Sequence, residues 1–377
     1  MAALTALALA GGLVCLVVGA ELLVRGAASI ATRLGIAPII IGLTVVALGT
    51  SAPELAVSVS AGLSGEGDVA FGNVAGSNIV NILLILGGSA VIAPLVVSQR
   101  IIRLDIPLLV GVSVVALLLS LDNEIGRLDG LLLFAGILAY TGWLIRAAHR
   151  EREEDLLTEY GTAVEELEVE VIDKPLPVQV AFVMAGLVVL VVGSQLLVAS
   201  ATDIAASLGV SDLVIGLTVV ALGTSLPELA TSLLAAYRGQ RDIAVGNVVG
   251  SNLFNIMCVL GLTGIVSPDP IPVSDTSLQV DFPVMLAATV VLLPIIWKGF
   301  AIRRWEGLVL IVLYALYVTF LILDAGDSDA VDVIRPVALV VVPLVLLGFT
   351  LAAVQARRAR SGPVPLDGTE GRAEARR

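Results

Sequence analysis

The chain has 377 residues, of which 58% are apolar and only 14% charged, and its mean hydropathy is +1.02. A soluble chain is roughly 45–50% apolar and about 25% charged, so a set of soluble domains is excluded. Two cysteines exclude a disulfide scaffold, and 33 acidic against 21 basic side chains, a net charge of −12, exclude a basic nucleic-acid binder. A polytopic membrane protein remains: at ~20 apolar residues per spanning helix, the apolar content covers roughly eleven spans.

In chain order, stretches of spanning length lie at 4–24, 38–63, 69–93, 105–121, 128–146, 177–200, 212–237, 243–266, 281–297, 305–323 and 336–355. The first has no Lys or Arg before Arg25 and no cleavage pattern, so it reads as a span rather than a signal peptide. With the N-terminus outside, 19 of the 21 basic residues fall on the cytoplasmic side, among them Arg25, Arg33, Arg100, Arg103, Arg238, Arg241, Arg303 and Arg304. Arg127 and Arg335 alone fall outside. This is the asymmetry of the positive-inside rule, and it predicts a cell-membrane protein with an outer N-terminus and a cytoplasmic C-terminus. Residues 147–176, with ten acids, read as a solvated cytoplasmic linker without EF-hand spacing. Residues 361–377 read as a disordered tail.

Residues 42–56, GLTVVALGTSAPELA, recur at 216–230 as GLTVVALGTSLPELA, and Gly72–Ile82 recurs at Gly246–Ile256 at the same offset. Fainter echoes relate Asp105-Ile-Pro107 to Asp281-Phe-Pro283 and Leu128-Asp-Gly130 to Trp305-Glu-Gly307. The repeating unit is therefore about five spans. An odd number of spans per unit makes the second copy cross the membrane in the opposite sense, and inverted repeats place substrate sites near the midplane between the copies. The expected architecture is an all-α polytopic membrane protein. Two inverted five-helix repeats, 1–146 and 177–323, form a ten-helix core, joined by the linker 147–176. An extra C-terminal transmembrane helix lies within 324–360, followed by the tail.

Glu54 and Glu228 sit mid-span, where a charge is costly and marks function. No Lys, Arg or His lies inside any span, and the single His149 is in a loop, so either protons or a bound cation must neutralise the pair. Thr50 and Glu54 share a helix face, as do Thr224 and Glu228. Pro53 and Pro227 lack the N–H that would bond the carbonyls of Gly49 and Gly223, which predicts backbone oxygens freed beside each carboxylate, with those of Thr50 and Thr224 loosened as well. A second polar stripe runs along Asn73, Ser77 and Asn81, and again along Asn247, Ser251 and Asn255. All candidate ligands are oxygens and suit a hard cation such as Ca2+ or Na+. Cys258 reads as a small apolar filler.

The doubled Gly-Thr-Ser-x-Pro-Glu and Gly-Asn-x-x-Gly-Ser-Asn-x-x-Asn strings resemble the α-repeats of sodium/calcium exchangers, in the calcium:cation antiporter superfamily. The resemblance covers about residues 1–323. It implies that Glu54 and Glu228 bind calcium with the carbonyls of Thr50 and Thr224. It further implies sodium sites at Ala47, Thr50, Glu54 and Ser77 and at Ala221, Thr224, Glu228 and Ser251, with Asn81 and Asn255 completing the centre. Some relatives carry aspartate where Asn255 stands, so its absence argues against potassium co-transport. The Gly-Thr-Ser-x-Pro-Glu form favours sodium over proton coupling. The expected activity is Ca2+/Na+ antiport by alternating access, without enzymatic chemistry, cofactor or nucleic acid, and with one chain as the transport unit. An H+/Ca2+ antiporter using the same ligands and a cation channel stay open as alternatives. The resemblance also implies that spans one and six slide against the core, with Gly11, Gly12, Gly19 and Gly193 allowing close sliding.

Overall fold

The computed structural model describes residues 2–154, 175–207, 221–297 and 300–325, together with Gly348 and Leu351. Most of the acidic linker, the first part of span seven, the tail and all but those two residues of span eleven lie outside the described residues. Among the described residues, eight helices are long and apolar enough to cross a membrane. They are Thr5–Leu34, Gly67–Ile92, Ile101–Leu119, Arg127–Ala147, Leu176–Ser207, Arg241–Val266, Ser277–Ile296 and Arg304–Asp324. Pro38–Thr50 and Ala52–Leu63, bent by 44° at their junction, make a ninth. These are spans one to six and eight to ten, and span seven is represented by Ala221–Gly223 and Leu226–Tyr237.

The first helix continues to Leu34, past the end expected at residue 24. The charges that mark that end do not face solvent alone. Glu21 pairs with Arg25 one turn on and with Arg238 at the end of span seven, the latter at 2.8 Å. Mutual neutralisation lets the helix run on through the membrane face.

The two halves carry equivalent contacts at opposite ends of the molecule. Strand β1 (Leu95–Val96) follows span three, and β2 (Glu124–Ile125) follows span four. Their equivalents are β3 (Ile271–Pro272) and β4 (Ala301–Ile302). The antiparallel ribbons are β1 with β4 and β2 with β3. Helix Ile101–Leu119 separates β1 from β2, so the ribbons cap opposite ends of the bundle and each joins one half to the other. Further loop contacts respect the same partition. The Arg304 guanidinium donates to the Ile92 carbonyl at one end. At the other, Arg127 donates to the carbonyls of Ser267 and Pro268, and Asn123 to Asp275 Oδ1. Every one of these joins loops that the charge distribution assigns to one side.

The weaker sequence echoes are structural equivalents too. Tyr140 donates its hydroxyl to Asp105 Oδ1 at 2.9 Å, and Tyr317 donates to Asp281 Oδ1 at 2.8 Å. Asp129 accepts the Gly126 N–H, and Glu306 accepts the Arg303 N–H, each three residues ahead at the start of a helix.

Spans three and eight form the centre. In their most apolar windows 72% and 89% of the residues are buried, against 33% and 28% in spans one and six. Spans one and six cross each other at Gly12, Gly19, Gly186 and Gly193. A Cβ at Gly12 would lie 2.9 Å from the Gly193 carbonyl, and one at Gly186 only 2.6 Å from the Leu23 nitrogen. This corrects the expected glycine role. Gly12, Gly19 and Gly193 lie in the seam between spans one and six, with Gly186, which the sequence reading missed, while Gly11 has open space around it. Bare backbones in contact pack the two helices closely as a pair, whose other faces meet the rest of the bundle. There the pair is unevenly seated. Span one packs along Leu226–Tyr237, whereas span six makes no comparable contact with Ala52–Leu63. A cleft of about 600 Å³ opens between spans two, six and eight, bordered by Leu48, Ser51, Leu55, Leu187, Val191 and Cys258.

Candidate ion-binding site

Span two breaks at Ser51 (φ −80°, ψ 5°) and span seven at Ser225 (φ −87°, ψ 6°). Pro53 and Pro227 follow in the first turn of the next half-helix, where a missing N–H removes no helical bond. Glu54 and Glu228 therefore lie in first turns, where unpaired N–H groups and the helix dipole favour a carboxylate. Both are completely buried, and among the described residues neither touches a Lys, Arg or His.

Each carboxylate is held from its own half and from the other. Glu54 Oε1 accepts from Ser77 at 3.4 Å and from Ser225, across the repeat, at 3.0 Å. Glu228 Oε1 accepts from Ser251 at 3.4 Å and from Ser51 at 3.1 Å. Asn73 donates to the Glu54 carbonyl and to Ser58, and its Oδ1 accepts from Thr224 at 3.2 Å. Asn247 likewise donates to the Glu228 carbonyl and to Ser232, and its Oδ1 lies 3.0 Å from the Thr50 hydroxyl. Thr50 has the Val46 carbonyl as a second acceptor at 3.1 Å. These contacts spread across spans two, three, seven and eight and obey one approximate two-fold relation.

The predicted residues Glu54, Glu228, Thr50, Thr224, Ser77 and Ser251 thus converge. Ala47 is buried one turn before Thr50, and its carbonyl accepts the Ser51 N–H at 3.0 Å. Ala221 opens the helix Ala221–Gly223. Asn81 and Asn255 lie in the central spans where each begins a wider, π-helical turn, Val80–Leu86 and Asn255–Leu260. Such turns recur at functional sites. Asn73 and Asn247 use both side-chain groups to brace the broken spans.

Sequence reasoning missed Ser51 and Ser225, the hydroxyls that each glutamate takes from the opposite half. Their signal was present, since both are inside the repeated Gly-Thr-Ser-x-Pro-Glu string. It also missed Asn78 and Asn252, discussed below. One expectation is corrected. The Gly223 carbonyl, predicted to be free beside Pro227, accepts the Ser194 hydroxyl of span six at 2.5 Å. The position equivalent to Ser194 in span one is Ala20, so only one half has this substitute donor. Ser194→Ala is expected to lower the melting temperature of the purified protein, because an unmet buried carbonyl costs about 1–3 kcal/mol. An unchanged melting temperature would remove the bond from the account.

Four atoms at the centre are unusual for a buried site: Glu54 Oε2, Glu228 Oε2, Asn81 Oδ1 and Asn255 Oδ1 have no hydrogen-bond donor. Buried oxygens without donors are rare. Four of them, two anionic and two amide, on residues at matching positions of the two halves, offer the oxygen chemistry that suits a hard cation. No group of three or more His, Cys, Asp or Glu occurs among the described residues, so the remaining ligands here are neutral.

The chain matches the model of the sodium/calcium exchanger protein family over residues 4–146 and 178–323. It belongs to that family. The exchanger MaX1 of Methanosarcina acetivorans, named a sodium/calcium exchanger, is 33% identical over 339 residues, spanning 82% of this chain and 96% of its own. A protein of Alkalimonas amylolytica provisionally named antiporter CaxA is 41% identical over 312 residues, 81% of this chain and 95% of its own. A solved structure of the sodium-calcium exchanger NCX_Mj superposes with a TM-score of 0.71 at 30% identity, covering 84% of this chain and 98% of the other. The family match ends at residue 323, before span eleven. The exchanger chain is thus a multi-pass membrane antiporter of a calcium-exchanging family rather than an enzyme.

Proposed function

We propose that this chain exchanges Ca2+ for Na+ by alternating access, with Glu54 and Glu228 holding the ions in turn. The observation that carries the reading is the pair of buried carboxylates, each fixed through one oxygen by hydroxyls of both halves and each leaving the other oxygen without a donor. Thr50, Thr224, Ser51, Ser225, Ser77 and Ser251, the amide oxygens of Asn81 and Asn255, and the backbone at Ala47 and Ala221 supply neutral oxygens around them. The names of the family and of its relatives supply sodium as the partner ion.

The exchange rule follows from charge. Two unneutralised carboxylates are expensive to seal away from water, so the empty carrier does not reorient. One Ca2+ cancels both charges, and several Na+ do the same with help from hydroxyls and carbonyls. The two ions compete for one ligand set, and only loaded forms cross. The unit of spans one and six, seated by span one on Leu226–Tyr237 but not by span six on the equivalent Ala52–Leu63, moves to seal the opposite half, an exchange of seats that an inverted repeat permits. All these ligands come from one chain, so one chain is the transport unit. The excess of basic residues on one side sets the orientation in the cell membrane, N-terminus outside and C-terminus cytoplasmic.

Purified protein in sealed vesicles decides among couplings. Ca2+ uptake is expected under an imposed Na+ gradient and absent under a pH gradient or with no gradient. Uptake driven by the pH gradient alone would replace sodium with protons, since two protons also neutralise the pair. Uptake with no counter-ion gradient would make the chain a channel.

A further inference from the structure

Asn78 and Asn252 are buried residues of spans three and eight that the ligand set above does not use. Each sits one residue after the site serine of its own half and faces the other half. Asn78 Nδ2 lies 3.5 Å from the Asn252 backbone carbonyl and 3.6 Å from the Met285 sulfur. Both groups only accept hydrogen bonds. The amide nitrogen of Asn78 must therefore point at them, and its Oδ1 must point the other way. There it meets Asn255, whose Nδ2 donates to Asn78 Oδ1 at 3.2 Å. An amide that turns its nitrogen to one side presents its oxygen to the other. Asn255 Oδ1 is that oxygen, buried and without a donor. In the second arm Asn252 Oδ1 accepts from Asn81 Nδ2 at 2.9 Å, leaving Asn81 Oδ1 without a donor, although the Asn252 Nδ2 itself meets no acceptor.

We propose that Asn78 and Asn252 are positioning residues, which fix the side-chain amides of Asn255 and Asn81 so that oxygen rather than N–H faces the transported cation. An amide free to turn would present N–H to the ion in one of its two orientations and repel it. In the Asn78 arm the orientation is settled before the ion arrives, and ultimately by the Asn252 backbone carbonyl, which cannot turn over. The inference rests on the reading of the central site as the cation site.

The test is Ca2+ binding to the purified protein by isothermal titration, together with Na+-driven Ca2+ uptake in vesicles. Asn78→Ala is expected to weaken Ca2+ binding about tenfold or more, the scale seen when a group that orients a metal ligand is removed. Its Na+-driven uptake is expected to need correspondingly more Ca2+ for half-maximal rate. The decisive variant is the double change Asn78→Ala with Asn255→Asp. A carboxylate presents oxygen whichever way it turns, and with Asn78 gone its second oxygen faces no opposing lone pair. Binding in the double variant is expected to recover to within about threefold of that of Asn255→Asp alone, a loss of dependence on Asn78 that a lost packing contact would not give. Should Asn78→Ala fail to assemble, the matching pair in the other arm, Asn252→Ala with and without Asn81→Asp, puts the same question.

Binding by Asn78→Ala within about twofold of the starting protein would overturn the proposal, as would a double variant as far below Asn255→Asp as Asn78→Ala lies below the starting protein. Glu54→Gln serves as the control for the site itself. If that variant binds Ca2+ normally, the central site is misassigned and the proposal falls with it. If it does not bind while the asparagine variants give either of those results, the site stands and only the positioning role is lost.

Discussion

Glu54→Gln is expected to abolish Ca2+ uptake while leaving a protein that inserts and purifies as a single species. Glutamine keeps an oxygen for Ser77 and Ser225, so the frame around Glu54 Oε1 survives. What it replaces is Oε2, the oxygen that has no donor, with an N–H2 group that repels a cation, and it removes one of two charges. Leaving a buried charge uncompensated costs about 3–5 kcal/mol, so the loss of Ca2+ affinity should exceed about 100-fold. Glu228→Gln should behave alike, because its contacts mirror those of Glu54.

Stability should move the other way. Without ions the native site holds two unneutralised buried carboxylates, and removing one charge relieves that cost, so the ion-free variant should melt at or above the temperature of the unmodified protein. Added Ca2+ should then raise the melting temperature of the unmodified protein, as binding to the native state requires, and leave the variant where it was. Appreciable Na+-driven uptake by both single variants would sink the assignment of the site.

The features legible in the sequence were those that repeat. A polar string kept nearly intact at two places exposed the paired glutamates and the inverted arrangement. Counting basic residues gave a partition of loops into two sides that the ribbons and loop contacts follow. The parts that escaped depend on distance in space. Ser51 and Ser225 lie inside the repeated string, yet their acceptors are glutamates of the other half, about 175 residues away. Asn78 and Asn252 escaped because the polar stripe was read along a single helix face. That logic suits a helix with one buried side, whereas spans three and eight are buried nearly all round, so neighbouring faces are interior too. The Ser194 hydroxyl that occupies the Gly223 carbonyl belongs to a third helix, which a reading along span seven alone does not reach. Charge marked the end of span one too early because Glu21, Arg25 and Arg238 satisfy one another.

The crossing of spans one and six carries the other large expected effect, and adjacent glycines supply its control. A methyl group on Gly186 would sit 2.6 Å from the Leu23 nitrogen and 2.8 Å from the Gly19 carbonyl. These are backbone atoms of a continuous helix, which cannot swing aside, so Gly186→Ala must push the two spans apart. Overpacking of this kind costs about 1–3 kcal/mol in a soluble core, and here the strain falls on the contact that packs the two helices as a pair. Gly186→Leu is expected to prevent assembly, and Gly186→Ala to lower the melting temperature and slow Na+-driven Ca2+ uptake. Equilibrium Ca2+ binding by Gly186→Ala should change little, because the proposed ligands belong to spans two, three, seven and eight. Gly12→Ala should follow, since its methyl group would lie 2.9 Å from the Gly193 carbonyl. Gly11→Ala, one residue away, meets nothing within 4 Å, and the better helix propensity of alanine should leave the protein as stable as before or slightly more so. Equal effects of Gly11→Ala and Gly12→Ala on uptake would mean that the seam does not govern the movement. Loss of Ca2+ binding in Gly186→Ala would mean that spans one and six shape the ion site itself rather than only opening and closing the way to it.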